Sequence, residues 1–202
     1  VQAKWNKKWD ERYSTPEFIY GKEPNVYFKT VIDDLKPGKV LLPSEGEGRN
    51  AVYAAKMGWK VTAIDFSFRA KEKAMRLAED NNVEIEYIIS PVEKYSFPES
   101  EFDAVALIFA HYSPDLRTLI HSSVVKSLKQ GGTLILEAFN KKQIENNTGG
   151  PKDLSLLYDS GILQNDFRKL IIKELNELEV ELSEGKHHEG KADVIRLVAC
   201  KK

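Results

Sequence analysis

The stretch Val40-Leu41-Leu42-Pro43-Ser44-Glu45-Gly46-Glu47-Gly48-Arg49-Asn50 decides how the rest of the chain is read. An apolar run enters a turn that holds two glycines, and a helical pattern follows from Arg49 to Met57. Glycine carries no side chain, so a ligand can lie against the backbone at such a turn. The first turn of the following helix presents N–H groups with no partner inside the helix, and these attract a carboxylate or a phosphate. The next apolar run, Val61-Thr62-Ala63-Ile64-Asp65-Phe66, ends in an acid 19 residues beyond Gly46. An acid at about that spacing is placed to accept both hydroxyls of a ribose. The competing reading is a plain strand–helix–strand unit, in which Gly46 and Gly48 only turn the chain and Asp65 caps a helix.

Outward from this stretch, short apolar runs rich in β-branched residues alternate with helical patterns. The runs are Lys39 to Leu42, Lys60 to Asp65, Glu84 to Ser90, Phe102 to Phe109 and Thr133 to Phe139, and the helical patterns are Arg49 to Met57, Ser67 to Asn81 and Ser113 to Lys129. This order predicts an α/β fold, a doubly wound and mostly parallel sheet with helices on both faces. The end differs. Lys169 to Leu182 and Asp193 to Ala199 alternate apolar and polar residues around a polar, glycine-containing loop, which predicts a C-terminal antiparallel hairpin. By propensity alone Lys169 to Glu184 also suits a helix. The first 35 residues stand outside the alternation and hold Trp5, Trp9, Tyr13, Phe18, Tyr20, Tyr27 and Phe28, either a helical layer on the core or a lid over a ligand. One domain is expected for all 202 residues, with 1–35 as this N-terminal segment and 36–202 as the core.

The ligand need not be a dinucleotide, although a nicotinamide-dependent reductase would share the strand–turn–helix. The dinucleotide fingerprint places a third glycine about three positions after the second, and here Gly48 is followed by Arg49-Asn50-Ala51. Glu45 and Glu47 would repel a pyrophosphate and would suit an ammonium or a sulfonium. Lysine plus arginine number 30 against 31 acids, a net charge of -1, which argues against a nucleic-acid partner. The lone Cys200, in a strand pattern, is expected in the core; it excludes an internal disulfide and a cysteine metal cluster, and the adjacent His187 and His188 are poorly spaced for one metal. No metal is expected. Val1 to Arg12 lacks the apolar core of a secretory signal and no apolar run could span a bilayer, so a cytoplasmic protein without a membrane partner, monomeric or homodimeric, is expected.

The chain resembles class I S-adenosylmethionine-dependent methyltransferases and, more narrowly, the tellurite-resistance/thiopurine methyltransferase-like group. The resemblance rests on Trp9-Asp10-Glu11-Arg12-Tyr13, Tyr20-Gly21-Lys22-Glu23-Pro24-Asn25, Glu45-Gly46-Glu47-Gly48-Arg49-Asn50-Ala51, Ala63-Ile64-Asp65-Phe66-Ser67, Phe102-Asp103-Ala104-Val105, Ile108-Phe109-Ala110-His111 and Leu128-Lys129-Gln130-Gly131-Gly132-Thr133-Leu134. Thr148-Gly149-Gly150-Pro151 and Glu184-Gly185-Lys186-His187-His188-Glu189-Gly190 add to it. It implies a Rossmann-like seven-stranded sheet with a final antiparallel hairpin. It implies S-adenosyl-L-methionine as cofactor, S-adenosyl-L-homocysteine as product, and a small-molecule methyl acceptor: a thiol, a metalloid oxyanion or a small acid. The cofactor contacts it implies are Ser44, Glu45, Gly46, Gly48, Arg49 and Asn50 in the turn, Asp65 and Phe66 at the second strand end, Val92 and Glu93 near the adenine, and Ile108 on the fourth strand. Three positions depart from the pattern: Ser44 replaces the first glycine, Leu42 an acid on the first strand, and Pro91 an aspartate before the adenine contact.

On the acceptor side His111 follows the fourth strand and is the candidate base or acceptor-orienting group, unless it caps the helix beginning near Ser113. Trp9, Tyr20 and the loop residue His188 are candidates for the substrate side or a lid, against core packing for Trp9 and a solvated loop for His188. Arg117 could pair with an anionic acceptor but reads more readily as a surface helix residue. Methyl transfer from a sulfonium chiefly needs alignment of nucleophile, methyl and sulfur. Phe109-Ala110-His111-Tyr112 is not the Asn/Asp-Pro-Pro-aromatic motif of many amide- and base-nitrogen methyltransferases, which lowers those substrates. The runner-up function is a module that binds the cofactor or its product without turnover.

Overall fold

The protein is described by a computed structural model over residues 9–185 and 188–202; Trp5 and His187 lie outside the described residues. Strand β1 (Lys39–Pro43) leads through the glycine turn into helix α2 (Arg49–Lys56), and β2 (Lys60–Asp65) into α3 (Phe68–Asp80) and β3 (Glu86–Ile89). These strands pair in parallel, with Pro43 opposite Ile64 and Asp65 opposite Ile89, so all three end within one residue of each other at one edge. Val40, Leu41, Leu42, Ala63 and Ile64 are fully or almost fully buried, the continuous apolar character of strands covered on both faces. Gly58, at φ +87°, stops α2. The Ser67 hydroxyl accepts from the Ala70 N–H and opens α3. Ahead of β1, residues 9–13 are helical and α1 (Val26–Asp33) is capped by Asn25, whose side-chain oxygen accepts from the Phe28 N–H.

These elements belong to one compact unit, Val1–Tyr95 with Glu184–His187; the second comprises Ser96–Ser183 with His188–Lys202. In the second, β4 (Phe102–Ile108), α4 (Pro114–Ser127, with proline at its first turn) and β5 (Leu128–Phe139) repeat the parallel pattern. The expected Gly131-Gly132 turn lies inside the span of β5. Pairing jumps from Phe102–Leu128 to Ala104–Thr133, and Gly131 takes φ +76° within the resulting irregularity. After β5 come two short turns, Lys141–Glu145 and Leu154–Leu156, and the helix α5 (Ser160–Asp166).

The chain end is the antiparallel hairpin β6 (Leu170–Ser183) and β7 (Glu189–Lys201), with β7 also antiparallel to β5. Alternation therefore outweighs the helix propensity of Lys169 to Glu184. Leu182, Ala192 and Val194 pack with Phe139 and Leu157, and Leu178 and Val180 flank them. The seven strands form one mixed sheet in the order β3-β2-β1-β4-β5-β7-β6, the Rossmann-like fold the sequence predicts. Among the described residues no helix is long and apolar enough to cross a membrane.

Candidate functional site

Three residues of the turn after β1 hold left-handed backbone: Ser44 at φ +58°, Gly46 at +65° and Gly48 at +89°. Ser44 thus holds a conformation that glycine adopts readily and a side chain disfavours. The two glycines serve different needs. A Cβ on Gly48 would lie 2.5 Å from the Ala74 Cβ and 2.9 Å from its Cα, so this position lets α3 pack on the turn. A Cβ on Gly46 would lie 2.8 Å from the Tyr13 hydroxyl.

Asp65 ties the end of β2 to the turn. One carboxylate oxygen accepts from the Gly46 N–H and the other from the Ser67 N–H, each at 3.0 Å. Ser67, not Asp65, caps α3. Burial raises the Asp65 pKa to about 6 against the opposing pull of the Ser67, Gly46 and Phe66 amides. A carboxylate has about four acceptor positions, so capacity remains for a hydroxyl donor. The Tyr87 hydroxyl donates to the Gly46 carbonyl at 2.6 Å and fixes the turn from its other side.

The acids and the helix start correct the sequence expectation. Glu45 accepts from the Asn50 and Ala51 N–H groups at 2.9 and 2.8 Å, so two donors of the first turn of α2 are taken by the chain itself. Burial nonetheless lifts its pKa to about 7, opposed by the Ala51 amide and by Arg49. Glu47 accepts from Lys73 at 2.6 Å and from the Ile19 and Tyr20 amides at 2.8 and 3.4 Å. Its charge is spent inside the protein. Arg49 pairs with Glu184 at 2.8 Å and donates to the Tyr20 carbonyl, while the Asn50 side chain accepts from the Asn25 N–H. Arg49 and Asn50 were expected at the cofactor; both point into a buried network.

Trp9 and Tyr20 come together with a residue the sequence reading did not select, Tyr13. Trp9 stacks on Tyr13 with centroids 5.7 Å apart and lies 6.3 Å from Tyr20, and Arg12 donates to the Tyr20 hydroxyl. Tyr13 is buried, and burial with nearby Asp65 holds its phenol well above the ordinary range. Its spacing from Trp9, four residues in a helical turn, was the available signal. Phe66 is half-buried after β2. After β3, Pro91 opens the turn Val92–Lys94, where Val92 is buried and one Glu93 carboxylate oxygen is enclosed with no hydrogen-bond partner among the described residues. Such an oxygen calls for a donor, and an exocyclic amine is one.

In the second unit, Ile108 ends β4 half-buried and Phe109 follows at φ +50°, a strained position for a bulky side chain. The expectation of His111 as a base meets a direct obstacle. Its Nδ1 donates to the Leu156 carbonyl at 2.8 Å and its Nε2 accepts from the Phe139 N–H at 3.3 Å. Burial lowers its pKa to about 4. It is neither an available base nor a helix cap, but a neutral strap across three chain segments. Tyr158 continues the strap, donating to the Ala110 carbonyl and accepting from the Tyr112 N–H. His188 is not solvated: it is 6% exposed and sits edge-on to Phe109 at 4.5 Å and Phe139 at 5.3 Å. Arg117 is committed to Asp166 at 2.8 Å, which also accepts from His121, a buried histidine the sequence did not single out. Cys200 is half-buried in β7.

Residues 40–132 match the family model described as methyltransferase domain. No curated protein matches the chain. Among solved structures, the chain is similar to TehB from Haemophilus influenzae, with 18% identity, TM-score 0.74, and 98% of this chain and 67% of that one covered. A protein solved for the conversion of a disulfide bond into a thioacetal group during echinomycin biosynthesis aligns at 14% identity and TM-score 0.78, over 99% of this chain and 92% of that one. The [4+2]-cyclase SpnF aligns at 14% identity and TM-score 0.72, over 98% and 94%. At these identities the structural likeness speaks to the fold.

Proposed function

We propose that the chain is one S-adenosylmethionine-dependent methyltransferase domain acting on a small-molecule acceptor, with residues 1–35 as its lid segment. The observation that carries the reading is Asp65: a strand-end carboxylate bonded to the glycine turn through the Gly46 N–H. Its remaining acceptor capacity would take a ribose hydroxyl, and the unpartnered Glu93 oxygen would take the adenine amine. Tyr13 covers the Gly46 backbone, and Phe66 and Val92 supply apolar surface. When bound, the cofactor supplies a methyl group already activated by a positive sulfur. Glu47 is neutralised by Lys73, which leaves Glu45 and Asp65 as the carboxylates that favour a cation at this turn.

The acceptor arrives as its own nucleophile, because both His111 nitrogens are occupied. Thiols, metalloid oxyanions and small acids all meet that requirement by ionising in water. Arg117, bound to Asp166, is not available to an anionic acceptor. The near-zero net charge supports a small molecule over nucleic acid, and a cytoplasmic monomer or homodimer without metal or membrane partner remains our reading. The second reading, cofactor binding without turnover, is favoured by the occupied His111. The test is incubation of purified protein with methyl-labelled S-adenosylmethionine and a panel of thiols, metalloid oxyanions and small acids. Label on any of these acceptors supports the proposal. Tight binding of the cofactor with no label on any acceptor supports the second reading.

A further inference from the structure

Glu184 and Gly185, at the tip between β6 and β7, converge on the same short segment, residues 19–21. Glu184 is buried and each carboxylate oxygen has a donor: the Asn25 side-chain amide at 2.9 Å and Arg49 at 2.8 Å. Arg49 passes the tie onward to the Tyr20 carbonyl at 3.2 Å. Asn25 passes it to the starts of two helices, capping α1 through Phe28 and donating its own N–H to the Asn50 side chain. The partners are distant in sequence, 135 residues for Arg49–Glu184 and 159 for Asn25–Glu184. A buried ion pair is a poor device for stability alone, since apolar residues of similar volume often do as well. What it does well is fix a single register.

Gly185 is an independent observation. It holds φ +81°, and a Cβ there would lie 2.5 Å from the Ile19 carbonyl oxygen, 3.0 Å from the Gly21 nitrogen and 3.0 Å from the Tyr20 carbonyl carbon. All three neighbours are backbone, so no side chain can swing aside. Residues 19 and 20 are held from the other direction by Glu47, which accepts both their N–H groups. Glu47 and Arg49 flank Gly48 in the turn itself.

We propose that Glu184 and Gly185 are positioning residues for the cofactor: they press residues 19–21 against the glycine turn and so set how long the cofactor stays bound. The proposal rests on the S-adenosylmethionine reading above. It touches no reacting atom and acts through Arg49 and the backbone of the N-terminal segment.

The test uses the full chain and S-adenosylhomocysteine as probe, with dissociation followed by stopped-flow fluorescence and amide exchange followed by mass spectrometry. Gly185→Ala should speed dissociation by about tenfold and hasten exchange over residues 19–21, with exchange in the strands β1 to β5 little changed. Gly190→Ala is the control. It imposes left-handed strain in the same hairpin, at φ +99°, but its Cβ would meet only a Thr148 methyl at 3.1 Å. It should leave dissociation as in the wild type. Wild-type dissociation and exchange in a folded Gly185→Ala would overturn the proposal, as would equal acceleration in Gly190→Ala. Should Gly185→Ala fail to fold, the double variant Arg49→Met/Glu184→Met replaces the ion pair by an apolar one and must show the same acceleration. Failure of the wild type to bind the probe would sink the cofactor reading instead; the clamp then stands or falls on exchange of the Ile19 and Tyr20 amides alone.

Discussion

The Tyr13 hydroxyl stands 2.8 Å from the point where a Gly46 side chain would begin, so the absence of that side chain is what lets the phenol cover the turn. Gly48, two residues on, is closed by Ala74 instead. The two glycines should therefore fail differently. Gly48→Ala meets helix backbone and a left-handed φ together and should cost more than about 3 kcal/mol of stability. Gly46→Ala meets the end of a movable side chain and should cost about 1–2 kcal/mol, the strain of the left-handed position. Gly46→Val should abolish binding of S-adenosylhomocysteine. Denaturant titrations and calorimetry separate the two; equal stability losses would show that the turn does not divide its work this way.

Asp65 accepts from the Gly46 and Ser67 amides, so its loss has a structural cost as well as a functional one. Asp65→Ala leaves two enclosed N–H groups without an acceptor, at about 1–3 kcal/mol each. It should also weaken cofactor binding by about 1–3 kcal/mol through the lost hydroxyl contact. Both losses are needed. A variant that is destabilised but binds normally assigns Asp65 to the turn alone.

If Glu45 faces the cofactor sulfur as proposed, discrimination between donor and product should depend on pH. Its pKa is raised to about 7, so it is mostly protonated at pH 6 and mostly ionised at pH 8. Ionisation favours the sulfonium of S-adenosylmethionine over the neutral sulfur of its product. The ratio of the two affinities should then rise with pH, by about threefold across that range. In Glu45→Gln the ratio should be flat. A flat ratio in the wild type would remove Glu45 from the neighbourhood of the sulfur.

The legible parts of the molecule were those governed by local period. The strand–turn–helix around Gly46, the acid ending β2, and the alternation of β6 and β7 each declare themselves within a few residues. Ser44 was legible as a departure from the motif, yet not as a residue with left-handed backbone. What stayed hidden depends on partners far away in the chain. Nothing near Arg49 announces Glu184, and nothing near His111 announces Leu156 or Phe139. The helix α5 has only seven residues, too few for a period to stand out. Polar residues chosen for a ligand by motif were in several cases taken by the protein itself, because a buried hydrogen-bonding group seeks any partner.

His111 supplies the sharpest pH test. In the folded protein its pKa is lowered to about 4, chiefly by burial, while the unfolded chain has the ordinary value of 6.5. Between these values the unfolded state binds the proton and the folded state refuses it. Stability contributed by the neutral ring is therefore complete above pH 6.5 and is lost as pH falls toward 4. From pH 7.5 to pH 5 the loss amounts to about 2 kcal/mol. Asp65 and Glu45 act in the opposite sense, since their folded pKa values are raised and their burial costs more as pH rises through 4 to 7. The wild-type profile alone would blend these slopes. The comparison that isolates the histidine is wild type against His111→Leu, which shares every other titrating group. At pH 7.5 the variant should be less stable, because the Phe139 N–H and the Leu156 carbonyl lose their partner. At pH 5 that deficit should shrink by about 2 kcal/mol, read from urea titrations at both pH values. A deficit that is constant with pH would mean that His111 exchanges protons equally in both states, and the neutral strap would have to be abandoned.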